Sequence, residues 1–312
     1  MRNPLSRNNG FALVLTLVVT ALMVAVAAEL IHQVYVDTAV SRGFRDGQQA
    51  SLMAESGALG GARLVQQLLS SRQYSSLADA WAKPVRQEDE NGILEISATD
   101  ESGRLSLNGL VLPNGEFEVF TQAALVRLGR RLQIPDSAWN ALADWLDSDD
   151  QPRSNGGESP LYATRRPAYA ARNGRLNSLH ELSLVNGFTP EMISRLQPLV
   201  TLHAAQPGAP ISPVNINTAP REVLIALDEA VDERMAERII EERRLQPFKS
   251  AGELSRVPGA EALSQRLAGK TSVKGTVYRI VAIARVKDAA RVVESVVRIA
   301  DAGIETLSWQ EY

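Results

Sequence analysis

No cysteine occurs among the 312 residues. That excludes a disulfide scaffold and any thiolate metal site, although it does not identify a compartment. Histidine is scarce too: His32, His180 and His203 share no motif. There is no Gly-rich phosphate loop, no H-E-x-x-H and no G-x-S-x-G. No catalytic site is legible, so the chain is expected not to be an enzyme. The net charge of -3 provides no basic excess to attract nucleic acid, and no nucleic-acid partner is expected. Proline is missing from Glu29 to Leu69, where nothing in the sequence stops a helix.

What is present begins at the N-terminus. Residues 1–10 form a polar leader carrying Arg2 and Arg7 and ending in Asn8, Asn9 and Gly10. An uncharged apolar run, Phe11 to Ala28, follows at once. At 1.5 Å per residue it spans about 27 Å, near the hydrocarbon thickness of a bilayer. A secretory signal peptide would be shorter and would end in a small-residue cut site. Here the plausible processing point lies before the run, between Gly10 and Phe11. Positive charge before the span, with Glu29 and Asp37 after it, predicts a single-pass anchor whose N-terminus is cytoplasmic. A plain signal anchor is the alternative.

Beyond the span, Leu30, Val34, Leu52, Leu59, Ala62, Leu64, Val65 and Leu68 recur at three- and four-residue steps, which predicts that the helix continues as an amphipathic one. Gly43, Gly47, Gly57, Gly60 and Gly61 are expected to weaken it, by about 1 kcal/mol each relative to Ala. Strand-like runs occur at Ile93–Ala98 and Arg104–Asn108, and again at Val277–Val286 and Arg291–Ala300. Asp288-Ala289-Ala290 reads as a hairpin, and Thr306–Trp309 as a possible edge strand. The rest reads as helices and loops. The expected fold is α+β, with a long N-terminal helix on a small antiparallel sheet and an all-α domain inserted between strands. The expected domains are 29–109 for the helix and first strands, 110–270 for the insert and 271–312 for the last strands.

The insert contains a repeat. Ser178, Glu181, Leu182, Ser183, Val185 and Gly187 recur at one constant spacing as Ser250, Glu253, Leu254, Ser255, Val257 and Gly259. Serine with Glu three positions on is the capping-box pattern, so each copy predicts a short helix, a Gly turn and a second helix. The stretch from Asn215–Ala219 (NINTA) to Gly259 resembles helix-hairpin-helix modules of DNA-uptake receptors. That resemblance supplies the rival function, a membrane-anchored DNA-binding receptor. Against it, each hairpin has one Gly rather than Gly-x-Gly, and Glu241, Glu242 and Glu253 offset Arg243, Arg244 and Lys249. The alternative is that the repeats only build a compact helical domain.

The densest cluster of hard oxygen donors is Asp144, Asp147, Asp149, Asp150, Asn155 and Glu158. Asp144 and Asp147 are one helical turn apart. Like charges this close repel unless a cation neutralises them, and calcium accepts six to eight oxygens in flexible geometry. The loop is not an EF-hand, because Pro152 stands where that motif needs Gly. Asp144, Asp147, Asp149, Asp150 and Glu158 are the candidate metal ligands and calcium the candidate ion. A solvated acidic loop is the alternative.

The leader and its apolar run resemble those of type IV pilin-like proteins. Leu15 stands at the fifth mature position, where most of that family carries Glu; K-class minor pseudopilins of type II secretion usually lack it. Asp144-Trp145-Leu146-Asp147-x-Asp149-Asp150-x-Pro152, followed by Gly156, Gly157, Glu158 and Tyr162, is similar to the calcium-associated segment of the same class. The resemblance implies cleavage after Gly10 by a prepilin peptidase and methylation of Phe11. It also implies anchoring in the bacterial inner membrane with the bulk in the periplasm. It further implies partnership with I- and J-class minor pseudopilins and other pseudopilus subunits, at the tip of a short pseudopilus.

Overall fold

The computed structural model of the chain describes residues 8–204, 209, 211–300 and 303–312. Leader residues Arg2 and Arg7 lie outside them. The chain opens with helix α1 (Asn8–Leu69), strand β1 (Val85–Asp89) and strand β2 (Gly92–Asp100). Next come β3 (Leu105–Ser106), α2 (Val119–Leu132), α3 (Asp136–Leu146), α4 (Ser159–Tyr162), α5 (Pro190–Leu196) and β4 (Val200–Thr201). Then follow β5 (Val214–Asn215), α6 (Arg221–Leu227), α7 (Glu233–Leu245), α8 (Glu261–Arg266) and β6 (Thr271–Ser272). The chain closes with β7 (Val277–Val286), β8 (Ala289–Ala300) and β9 (Gly303–Glu311).

Helix α1 runs unbroken for 62 residues, consistent with its lack of proline. Its apolar first part is exposed, and it is one helix long and apolar enough to cross a membrane. Its second part packs on an antiparallel five-stranded sheet of order β1-β2-β7-β8-β9. The buried seam of α1 keeps Ala62 and Val65 of the periodic set, with Leu68 half-buried beside them, but leaves out most of its large apolar residues. Leu30, Val34, Leu52, Leu59 and Leu64 are exposed, and Ala50, Ala54, Ala58, Ala62, Val65 and Leu69 face the sheet. Small side chains let the helix axis sit close over Ala282 and Ala284. Gly57 and Gly61 belong to that seam. A Cβ on Gly57 would fall 2.8 Å from Leu94 Cδ1, and one on Gly61 2.8 Å from Ile96 Cγ2. Overpacking of this kind costs about 1–3 kcal/mol, so these two glycines support the packing although they weaken the isolated helix.

Two strand expectations need correction. Arg104–Asn108 does not enter the main sheet. A turn at Glu101–Gly103 redirects the chain, and only Leu105–Ser106 is strand, paired in parallel with Val200–Thr201. The missing sheet member is β1, which lies in the polar stretch after Pro84 and pairs with β2. The β7–β8 turn is Lys287-Asp288, because Ala289 and Ala290 already pair with Val286 and Arg285. Strand β9 is an edge strand, as expected, but longer than Thr306–Trp309; β1 is the other edge.

The all-α expectation for the insert holds except for the short pairs β3–β4 and β5–β6. The described residues from Glu101 to Thr276 leave the sheet between neighbouring strands β2 and β7. It has its own core around Trp139, Leu125, Leu128, Leu142, Leu182 and Phe248. The direction of α1 locates it. Ala50 and Ala54 pack near Val286 and Leu94, whereas Leu69 packs near Tyr278 and Trp81. The insert therefore emerges at the end of the sheet farthest from the apolar run.

The NINTA segment makes the joint. Asn215 Nδ2 donates to Asp100 Oδ2 at 2.8 Å and to Ser75 Oγ at 3.1 Å, and Thr218 Oγ1 donates to the same Asp100 oxygen at 2.7 Å. Asn217 Nδ2 donates to the Phe248 carbonyl at 2.9 Å and its Oδ1 accepts from the Phe248 amide at 2.9 Å. These polar atoms are buried and used inside the protein.

Candidate metal centre

The acidic segment is assembled from the last turn of α3, the loop after it and the start of α4. Helix α3 is amphipathic and buries Ala141, Leu142, Trp145 and Leu146, which fixes the orientation of Asp144 on its last turn. The helix ends at Asp147, whose backbone is extended, and the chain returns at Glu158 to begin α4. Beneath the loop, Trp145 meets Tyr162 edge-on at 5.1 Å and Tyr162 stacks on Tyr169 at 5.3 Å. Such aromatic pairs add about 0.5–1.5 kcal/mol beyond their buried area and make a rigid floor.

Asp147, Asp149 and Glu158 each bring a carboxylate oxygen within 4.8 Å of the others. Glu158 is 3% exposed, yet neither of its carboxylate oxygens has a hydrogen-bond partner, and Oδ1 of buried Asp147 has none. A buried carboxylate without partners is costly, and polar groups left so in a folded protein call for a ligand or an ion. Burial, then repulsion from Asp144, Asp147, Asp150 and Asp149, pushes the Glu158 carboxyl up to about 7. Burial also raises Asp147, against the opposing pull of Arg153. The donors are all hard oxygens, a set that fits calcium or magnesium rather than a thiolate-seeking metal. Asp147, Asp149 and Glu158 are the residues that would hold such an ion. Its role there would be to neutralise charge and cross-link the two ends of the loop.

The other two candidates have different partners. Asp144 is fully buried and its oxygens are taken. It accepts from Arg153 Nη1 at 2.7 Å, from the Arg153 amide at 3.1 Å and from the Gly157 amide at 2.8 Å. Asp150 is exposed, and its Oδ1 is 3.4 Å from Asn173 Nδ2. The residue that sequence reasoning missed is Arg153. It sits in the middle of the acidic run and could have been suspected from charge alone, but only the fold shows which carboxylates it reaches. Its Nη1 also bonds Asp147 Oδ2 and its Nη2 donates to the Gly115 carbonyl. Its guanidinium lies 4.9 Å from the Phe117 ring centroid.

The two repeats form matching units. Leu179–Leu184 and Ala251–Arg256 are 3-10 turns rather than α-helices, and α5 and α8 follow them. Ser178 forms the expected capping box; at Ser250 the side chain does not cap, and the Lys249 amide donates to Glu253 instead. Gly187 and Gly259 have φ of +90° and +85°, the left-handed region that glycine enters at least cost. The first turn is packed from within the protein. A Cβ on Gly187 would meet Ala138 Cα at 3.3 Å, and the Asn186 amide donates to the Tyr162 hydroxyl at 3.2 Å. It thereby braces the acidic loop rather than presenting free amides to a phosphate.

Comparison with known proteins adds a consistent result. Two family models described as "Type II secretion system (T2SS), protein K" match residues 103–205 and 214–274. The chain is 32% identical over 265 residues to the type II secretion system protein K of Pseudomonas aeruginosa, covering 80% of this chain and 76% of that protein. It is 31% identical over 229 residues to the protein K of Klebsiella pneumoniae, covering 68% and 67%. One chain of the crystal structure of the GspK-GspI-GspJ complex from enterotoxigenic Escherichia coli superposes with a TM-score of 0.73. That match has 20% identity and covers 87% of this chain and 99% of the other. A long helix on an antiparallel sheet with a helical insert is thus an architecture the two share, and the chain belongs to the protein K family of type II secretion, the K-class minor pseudopilins.

Proposed function

We propose that this chain is a structural subunit at the tip of a type II secretion pseudopilus, where it helps initiate assembly and extrude folded proteins from the periplasm. The observation that carries the reading is the position of the insert. It emerges at the end of the sheet farthest from the apolar run, where the next subunit of a filament would have to stack. Leu15 agrees with this. A glutamate there would offer its carboxylate to the N-terminal amine of a neighbour above, and a tip subunit has no such neighbour. The chain acts by assembly rather than by turnover.

The proposed partners are the I- and J-class minor pseudopilins, which are the companions named in the similar complex. Full-length protein, co-expressed with both and extracted in detergent, should co-purify as a three-component complex. Failure of the three to associate, with binding of duplex DNA at physiological salt, would overturn the reading in favour of the DNA receptor.

Processing gives an independent test. The mature chain should begin at Phe11, methylated at its amine, with α1 retained as a single-pass inner-membrane anchor and the bulk periplasmic. Nothing lies within 4 Å of a Cβ built on Gly10, so substitution there leaves the fold untouched. A bulky residue at Gly10 should therefore abolish cleavage by the peptidase without altering thermal stability. Intact mass of the membrane-extracted chain reads the result, and a mature N-terminus beyond Ala28 would sink it.

A further inference from the structure

We propose that Arg153 is a resident cation of the acidic loop, a positioning residue that does part of the neutralising work a bound divalent ion would otherwise do alone. The inference rests on the cation-site reading of Asp147, Asp149 and Glu158 and extends it to a residue that is not itself a ligand.

The geometry is specific. One guanidinium joins three pieces of chain: Asp144 on the last turn of α3, Asp147 at its end, and the Gly115 carbonyl in the turn before α2. The Phe117 ring lies beneath it. A lysine could not make these contacts together, because its ammonium is a point charge without the planar fork. Arg153 divides the carboxylates into two sets. It takes Asp144 and one oxygen of Asp147, and it leaves the other Asp147 oxygen and both Glu158 oxygens without partners. The two residues that carry the open oxygens, Asp147 and Glu158, group with Asp149.

Charge decides what removal of Arg153 does. The five carboxylates of the loop, Asp144, Asp147, Asp149, Asp150 and Glu158, face a single guanidinium within it. Without that guanidinium the metal-free loop carries more unbalanced negative charge, three members of it buried, and is less stable. The same excess attracts a divalent ion more strongly, and Asp147 has both oxygens free to receive it. A resident cation therefore makes the loop less dependent on metal. A residue that only scaffolds the site would do the reverse, since its loss would weaken the metal-bound loop at least as much as the metal-free one.

The experiment is thermal unfolding of detergent-solubilised full-length protein, in excess calcium and in chelator, for wild type, Arg153→Gln and Arg153→Lys. Calorimetry with calcium alone gives the affinities. Arg153→Gln should melt lower than wild type in chelator. It should also show the larger calcium-induced rise and bind calcium about tenfold more tightly or better, the direction set by losing a nearby positive charge. Arg153→Lys should fall between the two. If Arg153→Gln folds only in calcium, that also supports the inference. A calcium-induced rise in Arg153→Gln equal to or smaller than that of wild type overturns it while leaving the cation site standing. A response in Arg153→Gln and none in wild type upholds the inference and removes calcium from the native protein. No response in either chain overturns both.

Discussion

Detergent-solubilised wild-type protein should melt at a higher temperature in calcium than in chelator, and Glu158→Gln should abolish most of that difference. Glu158 is the most exacting probe because it is buried and its oxygens have no partner in the chain. An ion that binds the folded protein and not the unfolded chain stabilises by RT ln(1 + [L]/Kd), about 2.7 kcal/mol at a hundredfold excess over Kd. In chelator the same substitution should be neutral or stabilising. It removes a buried charge that repels Asp144 and Asp147 and breaks no hydrogen bond within the protein. That pairing of outcomes separates a metal ligand from an ordinary structural acid, whose loss would lower stability in both conditions. Asp150→Asn should keep most of the calcium response, because Asp150 lies on Asn173 outside the cluster of three. Equal melting of the wild type with and without calcium, with no heat of binding, would leave the segment a solvated acidic turn held by Arg153.

The difference between Asp144 and Glu158 shows where sequence reading stops. All five acids are visible in the sequence, and Asp144 and Asp147 do fall on one helical turn. Which of them keeps open oxygens depends on Arg153 and on the Gly157 amide, whose positions are set by a returning loop. No periodicity encodes that. The same divide runs through the fold. Helix α1 is legible because a proline-free apolar stretch can hardly be anything else, and β7 and β8 are legible because both are rich in β-branched residues. Strand β1 is not, since VRQED is exposed along its whole length at a sheet edge and carries no alternation. Leu105 and Leu107 do alternate inward, but into the core of the insert rather than onto the sheet. The sheet-facing side of α1 is only partly legible, at Ala62 and Val65, for a related reason: close packing nearer the apolar run selects Ala and Gly, and a hydrophobicity pattern weights the large exposed residues instead.

Glu101→Ala should be among the most destabilising single substitutions in the chain. Glu101 is fully buried in the turn where the insert leaves β2. Its Oε1 accepts from Arg104 Nη1 at 2.7 Å and from Arg279 Nε at 2.9 Å. Arg279 in turn bonds Glu294, so the network spans the turn, β7 and β8. Truncating one partner of a buried ionic group leaves the others uncompensated and costs about 3–5 kcal/mol. The same network predicts acid sensitivity. Burial alone would raise the Glu101 carboxyl, but Arg104 and Arg279 outweigh it and hold it below the usual glutamate value. A carboxyl depressed in the folded state stabilises fully above its unfolded pKa, and that contribution is lost as pH falls through the folded pKa. Wild-type stability should therefore drop progressively below about pH 4.5, with other carboxylates adding to the fall. Glu101→Gln keeps the shape and removes the titration. Its stability should be lower than that of wild type at neutral pH, and the gap should narrow in acid. A gap that stays constant from neutral pH to pH 3 would mean that Glu101 contributes packing rather than charge, and that the turn below the insert is held by the Asp100–Asn215–Thr218 bonds alone.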